Sequence, residues 1–196
     1  MSSEEEYMRL FTEGCNLSKG LIQLDGQPHK SLGFFEKRKL KKAKELFELS
    51  LLEDPSNAAP CLMIAKVSHS LGDNLNSLDW LLKAWELEPA NLMLVIELSG
   101  AYGVLGKHRE AISVLEGVKY HPNEPRILFN LGVSYLLENN PQLAVAIFQK
   151  TVEIEPDSLQ NHKLLKYSQE VCNGTRTTPR DQSEIARSIS QETPPK

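Results

Sequence analysis

Apolar residues recur along this chain at the interval of an α-helix. In the first thirty positions the recurring apolar or small residues are Tyr7, Leu10, Gly14, Leu17, Leu21 and Leu24. Ser3 and Glu6, at the start of this run, have the spacing of a capping box, in which a side chain and a backbone amide satisfy each other at a helix start. We therefore predict an N-terminal amphipathic helix and turn within residues 1–30, with turn residues at 25–28.

Four prolines divide the middle of the chain at a nearly constant interval. Pro55, Pro89, Pro122 and Pro156 follow one another at intervals of 34, 33 and 34 residues. Proline lacks an amide hydrogen and clashes with the preceding helical turn, so it ends one helix before the next begins. A fixed interval of this length predicts a stack of helical hairpins.

Residues of matching size recur at fixed places between these prolines. The clearest copy has Leu128, Leu131, Gly132, Tyr135, Ala144 and Phe148 before Pro156, and the preceding copy has Leu98, Tyr102, Ala111 and Leu115 before Pro122. These residues resemble the signature of the tetratricopeptide repeat (TPR) family. The resemblance implies an all-α fold, a right-handed α-α superhelix (TPR solenoid), with repeats at about 31–57, 58–91, 92–124 and 125–157.

Small residues fit this interpretation because two antiparallel helices cross closely at their positions. A larger side chain at Gly132 or Ala144 would overpack the crossing at a cost of roughly 1–3 kcal/mol. The second copy departs from the family, since Ser68 stands in place of a large aromatic residue and Ser77 in place of alanine. We expect this repeat to be the weaker one.

The two ends of the chain have different compositions. Apolar residues at helical spacing predict a capping helix at residues 158–172, which would cover the last repeat. Residues 173–196 are rich in Thr, Pro, Arg, Gln and Ser, and their bulky apolar residues are Ile185 and Ile189. Because so little apolar surface is available for burial, we expect a disordered tail.

The resemblance implies a concave surface built from the first helix of each repeat, and that surface is the expected peptide-binding groove. Once the packing positions are removed, the candidate residues are Leu62, Met63, Lys66, Met93, Ile96, Glu97, Arg126, Phe129, Asn130, Val133 and Leu137. This face is mostly apolar with a few polar groups, which suits a peptide segment. Asn130 is the sharpest candidate, because it aligns with a groove asparagine that bonds the ligand backbone in peptide-binding relatives.

The carboxylate clamp of heat-shock co-chaperones does not fit this sequence. Aligned on that clamp, the matching positions carry Leu62, Lys66, Glu97, Arg126 and Asn130, so two of its donors are missing. Glu97 would repel a ligand carboxylate. A heat-shock co-chaperone role is therefore disfavoured.

Composition removes several other classes of function. The net charge of −4 provides no basic stripe for nucleic acid, and the basic run at residues 37–44 is interpreted as a solvated helix face. No stretch approaches the about 18 apolar residues of a membrane span, and the acidic start does not resemble a signal peptide. We expect a cytoplasmic protein without membrane insertion.

Reactive side chains show no catalytic or metal-binding spacing. Cys15, Cys61 and Cys172 are far apart, and we expect reduced thiols with Cys61 buried. The histidines and serines match no nucleophile or metal motif, so we predict no catalytic residue, no metal and no cofactor.

The leading hypothesis is therefore a non-enzymatic adaptor or scaffold that binds a segment of a partner protein in its groove. Two alternatives stay open: a chaperone for an exported or aggregation-prone client, and a self-assembling structural subunit, hence a possible homo-oligomer.

Overall fold

The computed structural model describes residues 2–22, 31–118 and 122–191, and the regular secondary structure within these ranges is α-helical. In chain order the helices are α1 (Ser3–Ser18), α2 (Phe34–Glu53), α3 (Ala58–Ser70), α4 (Asn74–Leu87), α5 (Leu92–Val104), α6 (His108–Glu116), α7 (Pro125–Leu137), α8 (Pro141–Ile154), α9 (Leu159–Cys172) and α10 (Gln182–Gln191). The all-α prediction is confirmed for this part of the chain.

The chain divides into two compact units, Met1–Ala101 and Tyr102–Lys196. In the first unit α1 packs on α2, α2 on α3, and α3 on α4. In the second unit α6 packs on α7, α7 on α8, α8 on α9, and α9 on α10. Each of these contacts joins two helices that are consecutive in the sequence.

The prolines stand where one helix pair gives way to the next, as their interval predicts. Pro55, Pro89 and Pro156 follow the ends of α2, α4 and α8, and Pro122 lies between α6 and α7. The residue before the proline closes the finished helix, as where the Glu88 amide donates to the Ala84 carbonyl at 3.0 Å. Because proline has no amide hydrogen with which to continue these helical hydrogen bonds, the next helix starts in a new direction.

A phenylalanine ring packed on a glycine marks the helix crossing in both units. A Cβ atom added to Gly132 would lie 2.6 Å from Phe148 Cζ, and one added to Gly14 would lie 2.7 Å from Phe47 Cε1. Both rings are fully buried. Helix α1 therefore pairs with α2 in the way that α7 pairs with α8, although α1 ends at Ser18 and α2 begins only at Phe34.

The start of α1 differs from the sequence prediction by one residue. Ser2, not Ser3, is the N-cap: its hydroxyl accepts from the Glu5 amide at 3.2 Å, and its own amide donates to Glu5 Oε2 at 2.9 Å. Both serines have the capping spacing, but Arg9 already binds the Glu6 carboxylate at 2.6 Å. Ser3 instead donates to the Glu53 carbonyl at 3.0 Å, which ties the start of α1 to the end of α2.

Helix α1 ends at Ser18, before the last apolar positions of the predicted helix. Leu21 and Ile22 lie beyond that end and still pack against the buried cluster that contains Leu40 and Phe47. Leu24 and the predicted turn at 25–28 lie outside the described residues.

The chain after α9 is also more ordered than its composition predicts. Residues 173–196 are predicted to be disordered, whereas α10 spans Gln182–Gln191 and buries Ile185. The Arg176 guanidinium lies 4.4 Å from the Tyr167 ring, and Lys163 Nζ donates to the Ile189 carbonyl at 2.7 Å. These contacts with α9 compensate for the small apolar area of the segment, of which residues 192–196 lie outside the described part.

Replacing Gly132 with alanine is expected to destabilise the chain by about 1–3 kcal/mol, because the new methyl group and the buried Phe148 ring require the same space. The matched control is Gly103→Ala, where an added Cβ meets no atom within 4 Å. Alanine favours a helix over glycine by up to about 1 kcal/mol, so this control should be neutral or stabilising. Urea unfolding followed by circular dichroism measures both changes, and equal midpoints for Gly132→Ala and the wild type would contradict the crowding.

Candidate functional site

The predicted binding residues lie on α3, α5 and α7, each of which has a defined start. The Asn57 side chain accepts from the Ala59 amide at 3.0 Å before α3, and the Asn91 side chain accepts from the Met93 amide at 3.0 Å before α5. Pro125 opens α7, where its fixed φ suits the first helical position. The first unit holds Leu62, Met63, Lys66, Met93, Ile96 and Glu97, and the second holds Arg126, Phe129, Asn130, Val133 and Leu137.

An ion pair joins α3 to α5 in the first unit. Lys66 Nζ lies 2.7 Å from Glu97 Oε1, and each side chain is 21% exposed. The sequence analysis names both residues but does not pair them. Because the two charges compensate each other, a ligand carboxylate that approaches Lys66 also meets the Glu97 carboxylate. The geometry thus agrees with the argument against a carboxylate clamp.

A small cavity of about 20 Å³ lies beside this ion pair. Ala65 and His69 of α3, Leu81 of α4 and Glu97 of α5 are among the residues that line it. This volume has room for about one water molecule, whereas small-molecule sites have roughly 300–1,000 Å³. This cavity is therefore too small for a metabolite or cofactor.

The apolar candidates of the first unit differ in how much surface they offer. Met63 packs against the buried cluster around Phe47, which α1 also covers through Phe11. Leu62 packs against a second cluster that contains Cys61 and Leu94. Met93 is 39% exposed. Met93 therefore offers the flexible apolar surface that a binding face requires, while Leu62 and Met63 are half-buried.

The second-unit candidates lie along α7. Arg126 is exposed and its Nε lies 3.0 Å from the Glu124 carboxylate. Phe129, Asn130 and Leu137 are half-buried. Val133 is 5% exposed and belongs to the core, which corrects its inclusion among the groove residues. Val133 is not one of the signature packing positions of the repeat, but the packing face of α7 reaches it as well.

A polar cluster replaces the missing aromatic residue of the second repeat. Buried Ser68 donates to Asn76 Oδ1 at 2.9 Å, and Lys44 Nζ donates to the same oxygen at 2.7 Å. These bonds join α2, α3 and α4. The departure at Ser68 is visible in the sequence, but Asn76 lies 8 positions from Ser68 and 32 positions from Lys44, which hides the cluster from pattern analysis.

Cysteine chemistry gives no reactive thiol at this site. Burial raises the pKa of Cys15 and of Cys61, which keeps both protonated and weakly nucleophilic. Cys61 is buried, as predicted, while Cys172 is exposed. Across residues 2–22, 31–118 and 122–191, no three His, Cys, Asp or Glu side chains are placed to hold a metal ion together.

The sequence analysis predicts no segment that is apolar over the length of a membrane span. In the part of the chain that the structure describes, no α-helix combines the length and the apolar composition that crossing a bilayer requires.

Comparison with known proteins places these features in a family context. Residues 125–158 match the sequence family described as tetratricopeptide repeat. The solved structure of MamA, residues 41 to the end, from Desulfovibrio magneticus RS-1 is similar over 98% of this chain and 99% of that one, with a TM-score of 0.70 and 16% identity. The pilF protein of Pseudomonas aeruginosa is similar over 99% of this chain and 79% of its own, with a TM-score of 0.65 and 15% identity.

A third similar structure is described as having a binding site. YrrB, described as a TPR protein with an unusual peptide-binding site, is similar over 70% of this chain and 69% of its own, with a TM-score of 0.57 and 25% identity. No curated protein matches the sequence. The solved structures share the fold and confirm the predicted fold class.

Replacing Asn76 with alanine is expected to destabilise the first unit by about 1–3 kcal/mol, because the Ser68 hydroxyl and the Lys44 ammonium lose their shared acceptor. The control is Asn76→Asp, which keeps an acceptor oxygen and adds attraction to Lys44. Thermal unfolding by circular dichroism measures both variants. If aspartate destabilises the chain as much as alanine does, the acceptor role assigned to Asn76 is wrong.

Tyr135 on α7 is expected to make the folding stability of the chain depend on pH in the alkaline range. Burial, followed by its hydrogen bond to the Glu116 carboxylate, raises the pKa of Tyr135 from 10.0 to about 12. Since the folded state keeps the proton longer than the unfolded state, this stabilisation is complete below about pH 10 and is lost as pH rises towards about 12. The unfolding midpoint of the wild type should fall more steeply over that window than that of Tyr135→Phe, and parallel curves would refute the assignment.

Proposed function

We propose that this chain, whose residues 125–158 match the tetratricopeptide-repeat family, is a non-enzymatic adaptor that binds a segment of a partner protein through the first helices of its repeats. The observation that carries the proposal is the placement of partly exposed apolar side chains beside fixed polar groups on α3, α5 and α7. Such a surface suits a peptide whose side chains fill apolar contacts while its backbone finds hydrogen bonds.

The proposed face of the first unit combines Met93 and Ile96 with the Lys66–Glu97 ion pair. Methionine has a flexible, polarisable side chain that adapts to different partners. The ion pair offers one charge of each sign 2.7 Å apart, so it favours polar or paired-charge segments over a bare carboxylate. A segment with apolar residues around one polar residue matches this chemistry.

The proposed face of the second unit combines Phe129 with Asn130 and Arg126. An asparagine amide both donates and accepts, which matches the N–H and C=O groups of an extended peptide backbone. Phe129 provides an aromatic contact next to that amide. Typical affinity for such a segment is micromolar, on the order of −8 kcal/mol.

The similarity to YrrB supports the proposal, since that protein has the same fold and is described as having a peptide-binding site. The cavity beside the ion pair supports it as well, because about one water of space leaves a protein segment as a better candidate than a metabolite.

Peptides selected against the wild-type chain from a displayed library provide the test. The double variant Phe129→Ala/Asn130→Ala should weaken a selected peptide by about 2 kcal/mol, or roughly thirtyfold in Kd by fluorescence anisotropy, because it removes an aromatic contact and the backbone hydrogen bonds. Asn130→Asp keeps the side-chain shape and removes the amide donors, so it should also weaken binding without a loss of packing.

The matched control is Leu143→Ala, which removes an exposed apolar side chain from α8 in the same unit. This control should bind as the wild type does, and circular dichroism should show equal helicity for all variants. Met93→Asp and the control Leu75→Asp, on exposed positions of α5 and α4, repeat the comparison in the first unit. Unchanged affinity in both the Phe129/Asn130 and the Met93 variants would reject the proposed faces.

A further inference from the structure

Two adjacent phenylalanines at the start of α2 lie open to solvent. Phe34 is 76% exposed and Phe35 is 75% exposed. Their ring centroids are 5.7 Å apart with the planes at 79°, so one ring edge meets the other ring face. The two rings therefore form a single apolar wedge. An exposed aromatic wedge on a folded chain marks a surface that a partner covers.

A basic cluster follows this wedge directly along the same helix. Lys37, Arg38, Lys39, Lys41 and Lys42 are all exposed, although the whole chain carries a net charge of −4. The Glu36 carboxylate within the run accepts from the Gly33 amide at 2.7 Å, and the Lys42 ammonium lies 3.3 Å from Glu45. The positive charge is thus concentrated within about two helical turns of the aromatic wedge.

Helix geometry directs the wedge and the charges to the same side. Phe34, Arg38 and Lys41 have the spacing of residues that share one helix face. Leu40, Ala43 and Phe47 are fully buried, and they define the opposite, packed face. The exposed face of α2 therefore begins with apolar rings and continues with cationic side chains.

We infer that this face of α2 binds the surface of an anionic phospholipid membrane. Phe34 and Phe35 enter the boundary between headgroups and acyl chains, while the basic side chains bind the anionic headgroups. A membrane interface supplies an apolar layer directly beneath a negatively charged one, in the same order as the rings and charges along α2. This contact is peripheral and requires no helix to cross the bilayer.

Other partners match only part of this chemistry. Single-stranded nucleic acid stacks its bases on flat ring faces, whereas here the edge of one ring lies against a face of the other. An acidic peptide would satisfy the basic side chains and leave both rings in water. The surface lies on α2, outside the residues proposed to bind a partner segment on α3, α5 and α7, so it goes beyond the proposed function.

Vesicle co-sedimentation with the full chain tests the inference. The wild type should sediment with vesicles of phosphatidylcholine mixed with phosphatidylserine, bind vesicles of phosphatidylcholine alone only weakly, and dissociate as salt is raised. Phe34→Ser/Phe35→Ser should lower the partition coefficient by about tenfold or more, because the rings no longer leave water. Arg38→Gln/Lys41→Gln should lower it by about fivefold for each charge removed.

The matched control is Leu52→Ser, which removes an apolar side chain that is 74% exposed at the other end of α2, away from the basic cluster. It should partition as the wild type does. All these side chains are exposed, so circular dichroism and unfolding midpoints should stay unchanged and would identify any variant that fails to fold.

Three results would overturn the inference. The first is equal partitioning of the wild type and the double serine variant. The second is tight binding to a single-stranded polyuridine probe without partitioning onto anionic vesicles, which would assign the face to nucleic acid. The third is an oligomer, seen by light scattering, that the double serine variant converts to a monomer, which would assign the face to a second copy of the chain.

Discussion

The close approach of a buried phenylalanine ring to a glycine backbone is the contact on which both units depend. Phe47 packs on Gly14 in the first unit, and Phe148 packs on Gly132 in the second. A ring can fill the crossing between two helices only where the facing residue has no side chain, since interiors leave few voids. One turn further on, the Ser50 and Thr151 hydroxyls donate to the carbonyls of these same phenylalanines, at 2.9 and 2.8 Å.

This shared geometry explains why the unusual front of the chain still builds a hairpin. More residues separate α1 from α2 in the sequence than separate α7 from α8, yet the helices of each pair meet at the same kind of crossing. Lengthening a surface loop costs little free energy, because closure entropy grows only slowly with loop length. Packing at the crossing, not the length of the connection, decides which helices pair.

The second repeat shows how a weakened signature is compensated. Ser68 lacks the volume of an aromatic residue, and its hydroxyl shares the Asn76 oxygen with Lys44. Lys66 of the same helix, α3, forms an ion pair with Glu97 of α5. Polar contacts therefore hold together the part of the first unit in which apolar packing is thinner. The surface proposed to bind a partner segment and the surface proposed to bind a membrane both lie on helix faces that are not used in packing.

The sequence by itself determined the helical class, the proline interval and the small residues at the crossings, because each depends on neighbours within a few positions. It could not determine that Lys66 meets Glu97, that Val133 is buried, or that α10 is ordered. The basic run at residues 37–44 was interpreted from the sequence as a solvated helix face. The exposure of the Phe34 and Phe35 rings beside it was not visible at that level. These features depend on distances between residues that are far apart in the chain, and side chains of the same type become surface or core only when the helices have packed.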